Sequence, residues 1–401
     1  MTEDSVVVIS GRGSLSALSG GDKLNQSGST FTTRSAGALQ LPVAALPAAA
    51  EAELQALRRQ QPAFRQLDRT VLLAVLAARQ AVAHAGWAAA DPSQVLAVSI
   101  GSSRGATGQL EEFHEAFLSS GSVPTAASPL TTLGNVASWV AFDAGASSAA
   151  PLSHSSTCSS ALQAMGNALA WLRAGMADRF LAGGTEAPLT AFTLAQMQAL
   201  GIYSPFAPTD FPCRPGAGKP STFVLGEGAA VFALERRNRH ELNVEKTGSA
   251  TARPVYLLEA VGFGFEPVAS KTGLSADGQH FQTAMRRALT QACCTPADVD
   301  ALVLHSPGTP AGDAAERAAI RAVFGKEAPA LVSNKWQLGH TLGASGALSL
   351  DFALRILETQ TWPAPPFATD LSAAPVRPVR RVLVNAAGFG GNAAAALVSV
   401  L

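Results

Sequence analysis

Cys158 is the residue of this sequence best placed to act as a nucleophile. Small polar residues run from Ser155 up to it. Ala161, Leu162, Met165, Leu169 and Leu172 then recur at helical spacing as far as Gly175. A cysteine at a strand-to-helix junction faces the unpaired N–H groups and partial positive charge of a helix N-terminus. Both are expected to favour the thiolate, which is the reactive form. Ser159, Ser160 and Ala161 keep the junction small, so a substrate carbonyl can approach, and the Cys158 N–H is placed to meet a developing oxyanion. Cys213 in a Pro/Gly loop and Cys293-Cys294 before Thr295-Pro296 read as structural. The spacing of the four cysteines fits neither a zinc site nor a disulfide framework.

Two histidines share a comparable setting. His305 follows the apolar run Ala301–Leu304, and His340 follows a strand-like Ala330–Ser333 and the segment Asn334–Gly339. In layered α/β proteins, reactive residues gather where strands end. A cysteine and two histidines at three strand ends suit acyl transfer, with a thiolate to attack a carbonyl and imidazoles to handle protons and oxyanion charge. His84, His114, His154, His240 and His280 lack that setting and read as structural. Gly388-Phe389-Gly390-Gly391 also follows a strand but lacks the full spacing of a dinucleotide-binding loop.

The elements that must position these residues alternate between strand and helix. A β-branched run, Val6–Ser10, ends at Gly11. A helix is predicted from about Asp68 to Ala85 with Gly86 as its C-cap, followed by a strand over Val95–Ile100. Another strand is expected over Arg179–Ala182, before Gly183-Gly184, and another over Val382–Asn385. The two glycine-led endings Gly226-Glu227-Gly228 and Gly390-Gly391-Asn392 each run into an alanine-rich strand and read as copies. A duplicated α/β fold is therefore expected, with halves at 1–240 and 241–401 joined within Arg236–Arg253.

Composition narrows the function. The chain has 401 residues, with 47% apolar and only 14% charged, which is the profile of a large buried core rather than a disordered chain. Lys+Arg and Asp+Glu balance at 29 each, so no general affinity for nucleic acid or a membrane surface is implied. The acidic start, Met1 to Ser5, has no basic region of a signal peptide, and no stretch is long and apolar enough to span a membrane. A cytoplasmic location with reduced thiols is the expectation.

Taken together these residues resemble the β-ketoacyl-[acyl carrier protein] synthases of the thiolase-like superfamily. The resemblance runs over nearly the whole chain. It takes in Val6–Leu15, the Cys158 junction, Ala182–Glu186, Val224–Gly228, His305–Glu316, Lys335–Gly346 and Asn385–Asn392. It implies a layered αβαβα sandwich of two duplicated halves and a decarboxylating Claisen condensation. Cys158 would take the acyl group, and His305 and His340 would bind the thioester oxygen of the malonyl unit. The N–H groups of Cys158 and Phe389 would hold the oxyanion, with Phe389 also gating the acyl pocket. Lys335 and Glu316 would form a supporting ion pair. Thr309 would contact pantetheine, Leu110 would line the acyl pocket, and Gly390 would help bind substrate.

Two departures stand out. Pro307 replaces a threonine in the His305–Thr309 loop, and Ala387 stands where many elongating members carry a phenylalanine. The resemblance calls for no cofactor beyond the phosphopantetheine of an acyl carrier protein that carries the substrates. It also implies a homodimer or a heterodimer with a related subunit. Arg58, Arg59, Arg65 and Arg69 are candidates for docking the acidic carrier. The competing readings are a chain-length-factor-like partner subunit, against which Cys158 argues, and a coenzyme A-dependent thiolase-type enzyme, against which Lys335 between the two histidines argues.

Overall fold

The strands form two series of like order. The computed structural model describes residues 5–20, 28–87, 94–146, 150–247, 254–267, 274–326 and 328–401. The start of the chain used in the signal-peptide argument and part of the Arg236–Arg253 join lie outside the described residues. The first half contributes β1 (Ser5–Leu15), a hairpin of β2 (Thr32–Ala36) and β3 (Leu39–Val43), β4 (Leu96–Gly101), β5 (Pro151–His154), β6 (Arg179–Glu186) and β7 (Gly228–Asn238). The second contributes β8 (Tyr256–Phe265), β9 (Ala301–Val303), β10 (Ala330–Val332), β11 (Arg381–Gly388) and β12 (Asn392–Val400).

The sheet order β10-β9-β11-β12-β8-β1-β7-β6-β4-β5 reads the same from either end once β1, β4, β5, β6 and β7 are matched to β8, β9, β10, β11 and β12. The pairing senses match too. β4 is parallel to β5 and β6, as β9 is to β10 and β11, and the remaining pairs within each half are antiparallel. Among the described residues two cross-strand pairs, Val8 with Leu257 and Ile9 with Tyr256, join the halves across β1 and β8.

Alternation along the strands sorts side chains into three cores. Phe180 and Ala182 of β6, with Val382, Val384 and Ala386 of β11, face a central core that also holds Leu162, Met165 and Leu169 of the helix Ser160–Ala174 and Leu350, Leu354 and Ile356 of the helix Ser345–Thr359. The intervening residues face outward, Leu181 toward the helix Arg69–Ala85 and Leu383 toward the helix Gln279–Gln291. Period-two alternation with helices on both faces of each half's five strands gives the five layers αβαβα. Truncating a fully buried centre such as Phe180 to Ala costs about 3–5 kcal/mol.

The helices start and stop as the sequence predicts. Asp68 caps Arg69–Ala85 by accepting the Thr70 N–H at 2.7 Å, and Gly86 and Gly175 end their helices in the left-handed conformation. Strands β1 and β6 run further than predicted because their glycines serve close packing rather than turns. A Cβ on Gly13 would lie 2.1 Å from the Ala77 carbonyl oxygen, and one on Gly183 2.0 Å from that of Ala230. Among the described residues, no helix is long and apolar enough to cross a membrane.

Candidate active site

The nucleophile sits on a strained turn. After β5 ends at His154, Thr157 takes a φ of +55°, rare for a β-branched residue, and turns the chain so that Cys158 precedes the helix Ser160–Ala174. The Ser156 N–H donates to Ser160 Oγ at 2.9 Å and the Ser160 N–H to the Thr157 carbonyl at 3.2 Å, which locks the turn. Gly388, at the end of β11, leaves room for it: a Cβ there would lie 1.8 Å from Thr157 Oγ1 and 2.7 Å from the Cys158 nitrogen.

Cys158, His305 and His340 line one cavity of about 200 Å³, together with Pro307, Thr309, Ala387 and Phe389. The two imidazoles meet edge to face with centroids 5.2 Å apart. His340 Nδ1 accepts the Leu342 N–H at 3.0 Å, so its proton sits on Nε2. His305 Nδ1 is buried and unpartnered. A bare lone pair is less costly there than an orphaned N–H, so Nε2 of His305 also carries its proton. Burial first, then the charge of Lys335, lowers His340 to about 3; burial and the neighbouring His340 hold His305 well below the usual imidazole range. The site thus presents two neutral N–H donors.

The thiol is not the ready thiolate that its junction suggests. Burial pushes Cys158 up to about 12, and the charge of Glu186 adds to this while that of Lys335 opposes it. The helix terminus does not overcome desolvation.

Glu316 is buried beneath the histidine loop. It accepts the N–H groups of His305 at 2.9 Å and Ser306 at 2.8 Å, the Ser306 hydroxyl at 2.8 Å and the Asn385 amide at 3.0 Å. Arg317 donates to the Ser306 hydroxyl at 2.9 Å and makes two bonds to Asp370. Lys335 is fully buried, and burial lowers it to about 8. Its Nζ donates to Asn334 Oδ1 at 3.1 Å and Ser349 Oγ at 3.2 Å. Among the described residues no ion pair joins Lys335 to Glu316, which corrects the pairing expected from the sequence: Glu316 spends its oxygens on the loop after β9, and Lys335 is solvated by neutral groups.

Other expectations are also revised. Leu110 is 56% exposed on the helix Thr107–Ser120 and does not line the cavity, because its helical face turns outward within this chain. Gly390, in the left-handed turn after Phe389, is not part of the cavity wall either. Arg69 is not a free surface cation. It makes two hydrogen bonds to buried Glu227 and an ion pair with Glu51, so it ties the helix Arg69–Ala85 to the segment before β7. Arg58 is half-buried against the Leu67 carbonyl, whereas Arg59 and Arg65 are exposed.

The sequence reading missed Arg104 and Phe223 in the cavity wall. It also missed Glu186 as an organiser. Glu186 accepts both Ser102 and Ser103 hydroxyls and the N–H groups of Ser103, Arg104 and Gly343. The signal was faint: a buried-looking Glu at the end of an apolar, glycine-containing strand.

The family model described as "Beta-ketoacyl synthase, N-terminal domain" matches residues 12–240, and that described as "Beta-ketoacyl synthase, C-terminal domain" matches 258–366. The tetracenomycin polyketide synthase ketoacyl synthase alpha subunit of Streptomyces glaucescens is 32% identical over 368 residues, covering 83% of this chain and 81% of that protein. The 3-oxoacyl-[acyl-carrier-protein] synthase 2 of Staphylococcus aureus (strain N315) is 30% identical over 347 residues, covering 82% and 81%. Among solved structures, the ishigamide ketosynthase/chain length factor superposes with a TM-score of 0.84 at 23% identity, over 99% of both chains, a likeness of fold.

Proposed function

This chain belongs to the β-ketoacyl synthase family, and on that premise we propose that it is an acyltransferase joining a Cys158-bound acyl chain to a malonyl unit carried on acyl carrier protein. The convergence of Cys158, His305 and His340 on one cavity carries the reading. In the first step Cys158 Sγ attacks the acyl thioester. The pantetheine sulfur leaves with the proton that the cysteine gives up. In the second, the Nε2–H groups of His305 and His340 hold the malonyl thioester oxygen while the bond from Cα to the carboxylate breaks and CO₂ departs. The electron pair becomes an enolate at that oxygen. Its carbon attacks the acyl-Cys158 carbonyl, the N–H groups of Cys158 and Phe389 hold the oxyanion, and collapse expels the cysteine sulfur.

Phe389, in the cavity wall and 41% exposed, is the gate residue of this scheme. Thr309 faces the pantetheine arm, and Pro307 offers that arm a rigid apolar contact where a hydroxyl is lacking. Glu316 and Lys335 act as separate positioning residues. Loss of CO₂ drives the step, and the scheme draws on no group beyond the carrier's phosphopantetheine. The matching strand orders support dividing the chain at about 240 into a nucleophile half and a histidine half. For partners, Arg59 and Arg65 remain as docking cations. Among the described residues β5 is the outermost strand at its end of the sheet, beside the helix Asn135–Asp143, whose Phe142 is 62% exposed, and this edge supports assembly with a second, related subunit.

The test is intact-protein mass after incubation with acyl carrier protein charged with acyl chains of several lengths. An acyl increment that disappears in Cys158→Ala supports the reading. No increment with any chain, alone or with a partner subunit, overturns it in favour of a non-catalytic subunit.

A further inference from the structure

We infer that Arg104 reads the acyl chain, so that the cavity selects acyl groups bearing an acceptor oxygen, as a ketone or carboxylate, over fully reduced chains of the same length. The inference rests on the ketosynthase reading and adds a substrate class to it. Arg104 follows β4, and its N–H donates to Glu186 Oε1 at 3.1 Å, which fixes the backbone. Arg104 is part of the wall of the cavity that holds Cys158. The guanidinium donates to the neutral amide oxygen of Gln196. Among the described residues, no carboxylate lies within ion-pair distance of it. Arg69, Arg317 and Arg381 contrast with it, since each makes two hydrogen bonds to a single carboxylate.

A guanidinium has five N–H donors in a fixed fork. Among the described residues one acceptor is supplied, while the neighbouring wall of Met197, Ile202, Phe223 and Leu342 is apolar. An acyl chain entering this cavity displaces water from the remaining donors. A reduced chain leaves them unpaired, at a desolvation cost, whereas a chain with an oxygen at that depth restores the bonds. A site that discriminates by unpaired polar groups rejects the analogue lacking the partner more strongly than a site that discriminates by fit alone.

Cys158 is loaded from acyl carrier protein charged with octanoyl, 3-oxooctanoyl or suberyl groups in pairwise competition. The acyl-enzyme is read by intact mass for the wild type, Arg104→Met and Arg104→Lys, each checked by thermal melting. The wild type is expected to favour an oxygenated chain by roughly tenfold, a partial form of the discrimination open to a half-buried donor. Which arm gains separates ketone from carboxylate. Arg104→Met should lose the preference, and Arg104→Lys should keep part of it. A folded Arg104→Met with the wild-type ranking overturns the inference and leaves the ketosynthase reading intact; so does a wild type that favours octanoyl, which decides the matter even where the Met variant does not fold. A wild type that loads no chain at all, alone or with a partner subunit, overturns both.

Discussion

The loops that follow β4 and β9 occupy equivalent places in the two halves, and each is gathered around a buried carboxylate. Glu186 collects Ser102, Ser103 and Arg104 after β4, and Glu316 collects His305 and Ser306 after β9. The loops differ in what they deliver. The first supplies cavity wall, and its nucleophile comes from the neighbouring junction after β5. The second carries a proposed catalytic residue itself. The carboxylates also differ in reach. Glu186 takes the Gly343 N–H at 2.8 Å from the segment after His340, so it holds one half in register with the other, whereas Glu316 is satisfied within its own half. The two halves thus use one kind of device, a carboxylate saturated by loop donors, drawn from elements that do not correspond: the end of β6 for alignment in one half, and the helix after β9 for holding chemistry in the other.

The sharpest way to break that division separates the two half-reactions. Cys158→Ala should abolish acyl loading, measured by intact mass. His340→Ala should leave loading within a few-fold of wild type while malonyl decarboxylation, measured as released CO₂, falls by about 10²–10³-fold, as when an oxyanion donor is removed. Equal loss of both steps in His340→Ala would dissolve the division of labour.

The carboxylates come next. Glu186→Gln and Glu316→Gln each put an amide NH₂ opposite N–H donors and should each lower stability by about 3 kcal/mol in denaturant titration. Glu316→Gln should depress decarboxylation more than loading. Glu186→Gln should depress both, because it releases the contact between the halves. Identical kinetic patterns would show that the two loops are held alike and serve alike.

A smaller effect follows from protonation. Cys158 is raised to about 12, so its thiolate fraction, and with it alkylation by iodoacetamide, should climb about tenfold per pH unit from pH 7 to 10 without a plateau. Lys335 is lowered by burial from 10.5 to about 8. The unfolded chain therefore binds more protons at this site between those values, and the charge-burial penalty, full below pH 8, lifts as pH rises through that window. Lys335→Met should remove that rise in stability, and it should slow alkylation of Cys158 because the opposing positive charge is gone. A plateau in alkylation near pH 7 would contradict a thiol held well above its ordinary range. The smallest effect is at the surface. Arg59→Glu with Arg65→Glu should raise KM for acyl carrier protein a few-fold with kcat unchanged, and a change in kcat alone would remove these residues from docking.

Much of this was legible in the chain because the signals are local. The Cys158 junction, the Asp68 cap, the Gly86 and Gly175 helix ends and the strand before His305 each depend on residues within a turn or two. The alternation that divides β6 and β11 between two cores is also local, and the paired glycine-led endings announced the duplication. What escaped depends on long-range approach. Gly11 and Gly183 read as strand ends because nothing nearby shows a helix or a strand passing within 3 Å. Arg104 carries no local signal of a site, and only β4 brings it to the same cavity as Cys158, more than fifty residues later in the chain. Lys335 and Glu316 read as opposite charges that should pair, and only their neighbours show that each is satisfied separately.

The most direct test of the central claim is to supply acyl-loaded enzyme, with its partner subunit where one is required, with malonyl-acyl carrier protein and to follow CO₂ and product by mass. The account expects one CO₂ released per 3-oxoacyl product two carbons longer than the loaded chain, with the acyl group leaving Cys158 at the same rate. CO₂ release without chain transfer from Cys158, or product formation in Cys158→Ala, would contradict it.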